Sequence, residues 1–216
     1  MPARIHDLLE IDGPRFVREQ PSAPQWVMDS LQRVPFVVVR RGDVTEHAIP
    51  VGVRGVRRNE RWATSCHPSL VRRILTPGEL LGRAKIPDRM PALRALQLLK
   101  ERWRRVDVPS GDWGPGGSVG FELATGDPVV TPDSDLDAVI YAVQPIEMSE
   151  ARSLLEATCD LPAVVDVRVE TPRVGFSLRE YANREGATLL IRTPAGALLA
   201  TDPWRVPSGD VTAAPV

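Results

Sequence analysis

The sequence predicts an α+β fold: a small N-terminal unit of a helix and a β-hairpin, followed by a unit in which a mixed sheet is flanked by helices. Three observations lead there. Strand-like apolar runs occur in both halves, most clearly at residues 163–170, where Val165, Val167 and Val169 take one face and Asp166, Arg168 and Glu170 the other. Helical periodicity separates such runs, above all at residues 91–106, with Leu93, Leu96, Leu99, Trp103 and Val106 on one side and Arg94, Gln97, Glu101, Arg104 and Arg105 largely opposite. Finally, 216 residues with 43% hydrophobic content can bury a core as one domain or two small ones.

The elements follow in order. A helix is predicted over residues 24–33, with Ser22 or Ala23 before it, Pro24 early, and Trp26, Val27, Leu31 and Val34 for one face. Residues 36–40 and 48–53 read as strands joined through Gly42-Asp43, as in a hairpin. Thr76-Pro77-Gly78-Glu79 has capping-box spacing and opens a short helix that Gly82 closes. A domain boundary is expected near there, giving units at 1–85 and 86–205 and a loose tail at 206–216. The 91–106 helix should pack on the second sheet. Beyond it come a strand at 136–143, a helix at 149–158, the 163–170 strand, a short helix opened by Ser177 and Glu180, and strands at 188–192 and 197–201. No internal repeat is visible.

Composition excludes several classes. No apolar run approaches bilayer length, and Arg4, Asp7, Glu10 and Asp12 stand where a signal peptide needs an apolar core, so a cytoplasmic protein is expected. Cys66 and Cys159 have no ligand or redox spacing and read as reduced, buried thiols. His6, His47 and His67 are too scattered in sequence for a zinc site. Residues 1–107 hold 20 Lys and Arg against 12 Asp and Glu, a balance of +8, and residues 108–216 hold 7 against 16, or −9. With a net charge of −1 and no basic stripe with interleaved aromatics, nucleic acid is not an expected partner.

The candidate chemistry begins at Ser134-Asp135-Leu136-Asp137. If a strand starts here, Asp135 and Asp137 share a face, two residues apart at about 3.3 Å each. Two metal ions in phosphoryl transfer lie roughly 3.5 to 4 Å apart, so such carboxylates can serve both. Without a cation, two charges about 4 Å apart repel by roughly 4 kcal/mol at an effective dielectric near 20. The plainer reading is a polar turn before a strand. Asp166, set between valines, is a third carboxylate that burial would penalise unless it is paired, although taken alone a half-exposed strand is the better explanation. Glu170 on the same face is the alternative third ligand.

Gly116 and Gly117 let main-chain amides approach an anion, with Ser118 adding a hydroxyl. The run is neither a Walker A loop nor a dinucleotide fingerprint, because no Lys-Ser or Lys-Thr follows and no strand clearly precedes it; alone, residues 113–117 read as a Gly/Pro connector. Arg54, Arg57, Arg58 and Arg61 follow the strand at 48–53 and could clamp a phosphate-rich ligand, or simply form a solvated face.

Gly117-Ser118, then Asp135-x-Asp137, then Asp166 flanked by valines, resembles the order of the polymerase-β-like nucleotidyltransferases. The whole chain resembles a narrower family, the holo-acyl-carrier-protein synthases of malonate decarboxylase, or phosphoribosyl-dephospho-CoA transferases (MdcG). The resemblance is carried by His6-Asp7-Leu8-Leu9, Ile49-Pro50-Val51-Gly52-Val53-Arg54-Gly55, Trp113-Gly114-Pro115 and Gly117-Ser118-Val119-Gly120-Phe121-Glu122-Leu123-Ala124-Thr125-Gly126. It continues through Ser134-Asp135-Leu136-Asp137, Asp166-Val167-Arg168-Val169-Glu170-Thr171-Pro172 and Asp202-Pro203-Trp204. The gap from Ser118 to Asp135 is longer than the superfamily's, with a turn-like Thr125-Gly126-Asp127 inside it.

The resemblance implies a nucleotidyltransferase core and a triphosphoribosyl-dephospho-CoA donor. The implied acceptor is a serine of the apo acyl-carrier-protein subunit of malonate decarboxylase, with pyrophosphate released. It implies catalytic Asp135 and Asp137, with Asp135, Asp137 and Asp166 holding Mg²⁺ (or Mn²⁺). Gly117, Ser118, Ser134, Arg54, Arg57 and Arg58 would bind substrate. Two alternatives use the same fold: a minimal nucleotidyltransferase acting on another hydroxyl, and a non-catalytic binding module.

Overall fold

Strands of four to six residues, none stable alone, assemble near the N-terminus into a five-stranded antiparallel sheet. They are β1 (Leu8–Ile11), β2 (Phe36–Val39), β3 (Ile49–Arg54), β4 (Arg61–Cys66) and β5 (Val71–Leu75), in the order β4-β3-β2-β1-β5. The computed structural model describes residues 3–57, 59–82, 86–106, 108, 112–184 and 186–206. By contact density the chain forms two units, Met1–Thr76 with Phe121–Val129, and Pro77–Gly120 with Val130–Val216. Apart from Val206, the expected tail lies outside the described residues.

The expected hairpin is β2 and β3, paired Val38 with Gly52 and Val39 with Val51. It is the middle of a larger sheet. Helices α1 (Gly13–Arg18) and α2 (Gln25–Arg33) supply Phe16, Val27 and Leu31 to a cluster with Leu9, Ile11, Val37, Val39, Val51 and Val53. The α2 helix starts one residue after the expected Pro24, which is its N-cap. Ser30 Oγ donates to the Arg54 carbonyl at 2.6 Å, tying α2 to β3.

In the second unit, α3 (Pro77–Leu81) is the short helix read from the capping-box spacing, and Gly82 N donates to the Gly78 carbonyl at 3.1 Å. Helix α4 (Pro91–Trp103) buries Leu93, Leu96, Leu99 and Trp103 and packs on the sheet as expected. That sheet is mixed, with six strands: β6 (Trp113–Pro115), β7 (Leu136–Tyr141), β8 (Val165–Glu170), β9 (Gly175–Ser177), β10 (Leu189–Thr193) and β11 (Gly196–Ala200), in the order β11-β10-β9-β8-β7-β6. Only β7 and β8 pair in parallel. Their connection includes α6 (Met148–Glu156), the helix crossover a parallel pair requires. The helix at 149–158 therefore begins one residue early, behind a capping box of Glu147 and Glu150. Helix α7 (Leu178–Asn183) is capped by Ser177, and α5 (Gly117–Thr125) begins in this unit and continues into the residues grouped with the first.

Two expectations are corrected. Trp113 to Pro115 form a strand and not a connector, because pairing with Ala138, Val139 and Ile140 of β7 outweighs the poor strand propensity of Gly and Pro. Cys159 is exposed, in the turn after α6, whereas Cys66 is buried and its thiol is pushed up to about 11, chiefly by that burial. Among the described residues no helix is long and apolar enough to cross a membrane.

Candidate active site

The site is built where β6 runs into α5 across the start of β7. Gly116 N donates to the Asp137 carbonyl at 2.9 Å, and Gly120 N to the Gly116 carbonyl at 2.7 Å, so the chain leaves the sheet edge directly into a helix. Gly117 makes the turn with φ +53. A Cβ there would lie 1.8 Å from Asp137 Oδ2, so the carboxylate rests against the bare Cα of Gly117. No side chain fits between them. Gly117 is exposed and Ser118 half-buried, leaving the head of α5 open to ligand, and helix N-termini favour anions.

Strand register brings in the second acid. Asp137 is paired with Asp166 across the parallel β7–β8 ladder, so the two side chains leave the same face of strands about 4.8 Å apart. Their neighbours Leu136, Ala138, Val165 and Val167 point into the core on the other face. Glu170 pairs instead with Tyr141, four residues further along and roughly 13 Å away. Register therefore selects Asp166 over Glu170 as the companion of Asp137. Asp166 Oδ2 also forms an ion pair with Arg168 Nη2 at 3.2 Å, both side chains being partly exposed. Arg168 shares the Asp166 face by the period-two pattern, the signal that could have marked it beforehand.

Asp135 precedes β7 and is exposed. Among the described residues no three His, Cys, Asp or Glu side chains converge closely enough to hold a metal ion, so Asp135, Asp137 and Asp166 do not form a closed cage. The donor set still suits a hard cation, being carboxylate oxygen throughout and open on one side. At strand spacing the two charges would repel by up to about 3.5 kcal/mol at an effective dielectric near 20, which Arg168 already offsets in part and a cation would relieve further.

Other sequence candidates have visible structural work. Ser134 Oγ accepts from Thr131 N at 3.0 Å and bonds Thr131 Oγ1 at 3.1 Å, closing the turn before β7. Arg54 and Arg57 belong to the first unit, at the end of β3 and in the turn to β4. The Arg54 guanidinium lies 6.0 Å from the Phe121 ring centroid, while Arg57 N donates to Glu60 Oε2 at 2.9 Å. Arg61 Nη1 donates to the Glu60 carbonyl, so this arginine run wraps a glutamate. Arg58 lies outside the described residues.

Two histidines thought scattered do meet: the rings of His47 and His67 stack with centroids 6.2 Å apart. His67 Nδ1 accepts from Ser69 N at 3.2 Å and caps the short 3₁₀ turn Pro68–Leu70. The late Asp202-Pro203-Trp204 serves packing, with Trp204 edge-on to Phe176 and its indole N–H donating to Tyr181 Oη at 3.2 Å.

Two sheets with helices make this an α+β protein, with an acid pair on adjacent parallel strands beside a glycine-headed helix. A family model described as the phosphoribosyl-dephospho-CoA transferase MdcG C-terminal domain matches residues 80–203, and its N-terminal counterpart matches residues 4–77. The chain belongs to the MdcG family of phosphoribosyl-dephospho-CoA transferases. It is 37% identical to the phosphoribosyl-dephospho-CoA transferase of Azotobacter vinelandii over 201 residues, 93% of each chain. It is 38% identical over 186 residues to that of Pseudomonas syringae pv. tomato, covering 85% of this chain and 86% of the relative. It is 36% identical over 207 residues to that of Klebsiella pneumoniae, covering 93% and 96%. No solved structure matches the chain.

Proposed function

We propose that this protein moves the phosphoribosyl-dephospho-CoA group from triphosphoribosyl-dephospho-CoA to a serine of the apo acyl-carrier-protein subunit of malonate decarboxylase, in the cytoplasm. The observation that carries the reading is Asp137, held in register with Asp166 and against the Gly117 head of α5. The amides of Gly117 and Ser118 bind the donor's phosphates at the helix N-terminus. Asp135, Asp137 and Asp166 would hold Mg²⁺ (or Mn²⁺). When bound, that ion supplies charge neutralisation at the phosphates and lowers the pKa of a coordinated hydroxyl. The serine hydroxyl gives up its proton to solvent and its Oγ bonds to the donor's α-phosphorus as the bond from that phosphorus to the pyrophosphate oxygen breaks, leaving a phosphodiester on the acceptor.

Family membership supports the transferred group, and the acid pair supports phosphoryl chemistry; the acceptor and the ion follow from the resemblance. The test is the intact mass of the apo acceptor subunit after incubation with this protein, the donor and Mg²⁺. A mass gain of one phosphoribosyl-dephospho-CoA group, lost with EDTA, is expected. An unchanged acceptor under saturating donor and Mg²⁺ refutes the assignment.

A further inference from the structure

The outer strand of the first sheet offers a surface that the transfer chemistry does not use. β5 ends the order β4-β3-β2-β1-β5, so one row of its backbone groups has no strand partner among the described residues. Such an edge is a template for an added strand. In a flat sheet β3 and β5 would stand three strand spacings apart, roughly 14 Å. Yet Ile49 of β3 and the stretch from Val71 to Ile74 of β5 line one cavity of about 500 Å³, together with Val44. The sheet curls to form it.

The lining is chemically mixed. Ile49 is buried, Val71 and Ile74 pack partly against the core, and Val44 is 45% exposed at the rim. Arg72 and Arg73 also line it; as neighbours on β5 they send their side chains to opposite faces, and Ile74 shares the face of Arg72. Arg72 is committed to Asp12, whose carboxyl is held below its usual range by the Arg15 backbone N–H and by Arg72 itself. Arg73 is different. It is exposed, and although Glu10 lies opposite in the β1–β5 register, the Arg73 side chain has no hydrogen bond or ion pair among the described residues. A cation left over beside an apolar trough and an open strand edge calls for a carboxylate, an apolar side chain and an extended backbone on one partner.

We infer that the groove beside β5 docks an extended acidic segment of the acceptor protein, with an apolar side chain seated between Ile49 and Ile74 and a carboxylate on Arg73. The identity of the acceptor rests on the transfer reading above. The groove's chemistry does not.

The test uses the full-length protein and the apo acceptor subunit, with binding measured by titration calorimetry. Arg73→Glu and Val44→Glu both alter exposed positions, so the fold should tolerate them, and Arg73→Lys retains the charge. At least tenfold weaker acceptor binding is expected for each glutamate variant, with Arg73→Lys within about threefold of wild type and affinity falling as salt rises. In transfer assays KM for the acceptor should rise while kcat at saturation and donor affinity stay unchanged. Unchanged acceptor affinity in both glutamate variants, while wild type still binds and modifies the acceptor, overturns the docking site and leaves the transfer reading standing. Weakened donor binding in the same variants overturns it too, by making the groove a donor subsite. An acceptor that wild type neither binds nor modifies removes both proposals.

Discussion

Replacing Gly117 by alanine separates the fold from the chemistry at the acid pair. The new Cβ would stand 1.8 Å from Asp137 Oδ2, where ordinary contact begins near 3.4 Å, so the oxygen must retreat by about 1.6 Å. Rotation about χ1 can carry that oxygen and Cγ, at 2.8 Å, away, but Cβ, at 3.1 Å, stays where the strand holds it, so Asp137 must also give by a few tenths of an ångström. The backbone, at φ +53, costs a non-glycine residue about 1–2 kcal/mol. For a chain of this size that lowers Tm by roughly 2–8 °C. The chemistry should suffer far more, since a displacement of about 1 Å in a catalytic group can cost 10²-fold, or roughly 2.7 kcal/mol of barrier. Circular dichroism melts and the rate of acceptor modification by intact mass give the two readouts. A Gly117→Ala protein that transfers within threefold of wild type would refute this account of Asp137.

Other expectations are as direct. Gly114→Ala would bring a Cβ to 2.0 Å from the Pro77 carbonyl, a backbone atom that cannot rotate away, so it should destabilise by about 3 kcal/mol or more and melt well below Gly117→Ala. Arg168→Ala removes the guanidinium from Asp166, and Mn²⁺ titration in the absence of donor should show up to about fivefold tighter binding, the scale of an exposed ion pair; weaker binding would mean Arg168 does not compete with a cation. With a thiol reagent at pH 8, Cys159 should react fast and Cys66 slowly, giving one prompt equivalent per chain. The Cys66 thiol keeps its proton in the fold up to about 11, so unfolding above the ordinary thiol value of 9.0 releases a proton. Stability from that group is full below pH 9 and falls as pH rises towards 11, a slope that Cys66→Ala should flatten in melts across this window. Trp204→Ala should lower Tm by a few degrees, from about 2 kcal/mol of lost packing on Phe176 and Tyr181, with unchanged kcat per folded molecule.

What could be read from the chain was what repeats at short range. The 91–106 periodicity and the alternation at 163–170 mark α4 and β8 because their apolar faces are built from nearby residues. β5 was hidden by Arg72-Arg73, whose place in a strand is set by β1 across the ladder. β6 was hidden by Gly114 and Pro115, and the glycine is demanded by the Pro77 carbonyl, a contact no local pattern announces. At the site, the acids were visible as residue types and Gly117 as a glycine needed for close approach. The register that sets Asp137 beside Asp166, and the ion pair that occupies Asp166, depend on how β8 slides against β7. That is fixed by the crossover and the core, not by spacing. Sequence also leaves Asp166 and Glu170 equivalent, and only the ladder separates them.

The claim that the Asp137–Asp166 pair is the centre of transfer is tested most directly by intact mass spectrometry of the apo acceptor subunit. Wild type, Asp137→Asn and Asp166→Asn would each be incubated with donor and Mg²⁺, after melts establish that all three are folded. The account predicts full modification by wild type and none by either asparagine variant over the same time. Modification by Asp166→Asn at close to the wild-type rate would contradict it.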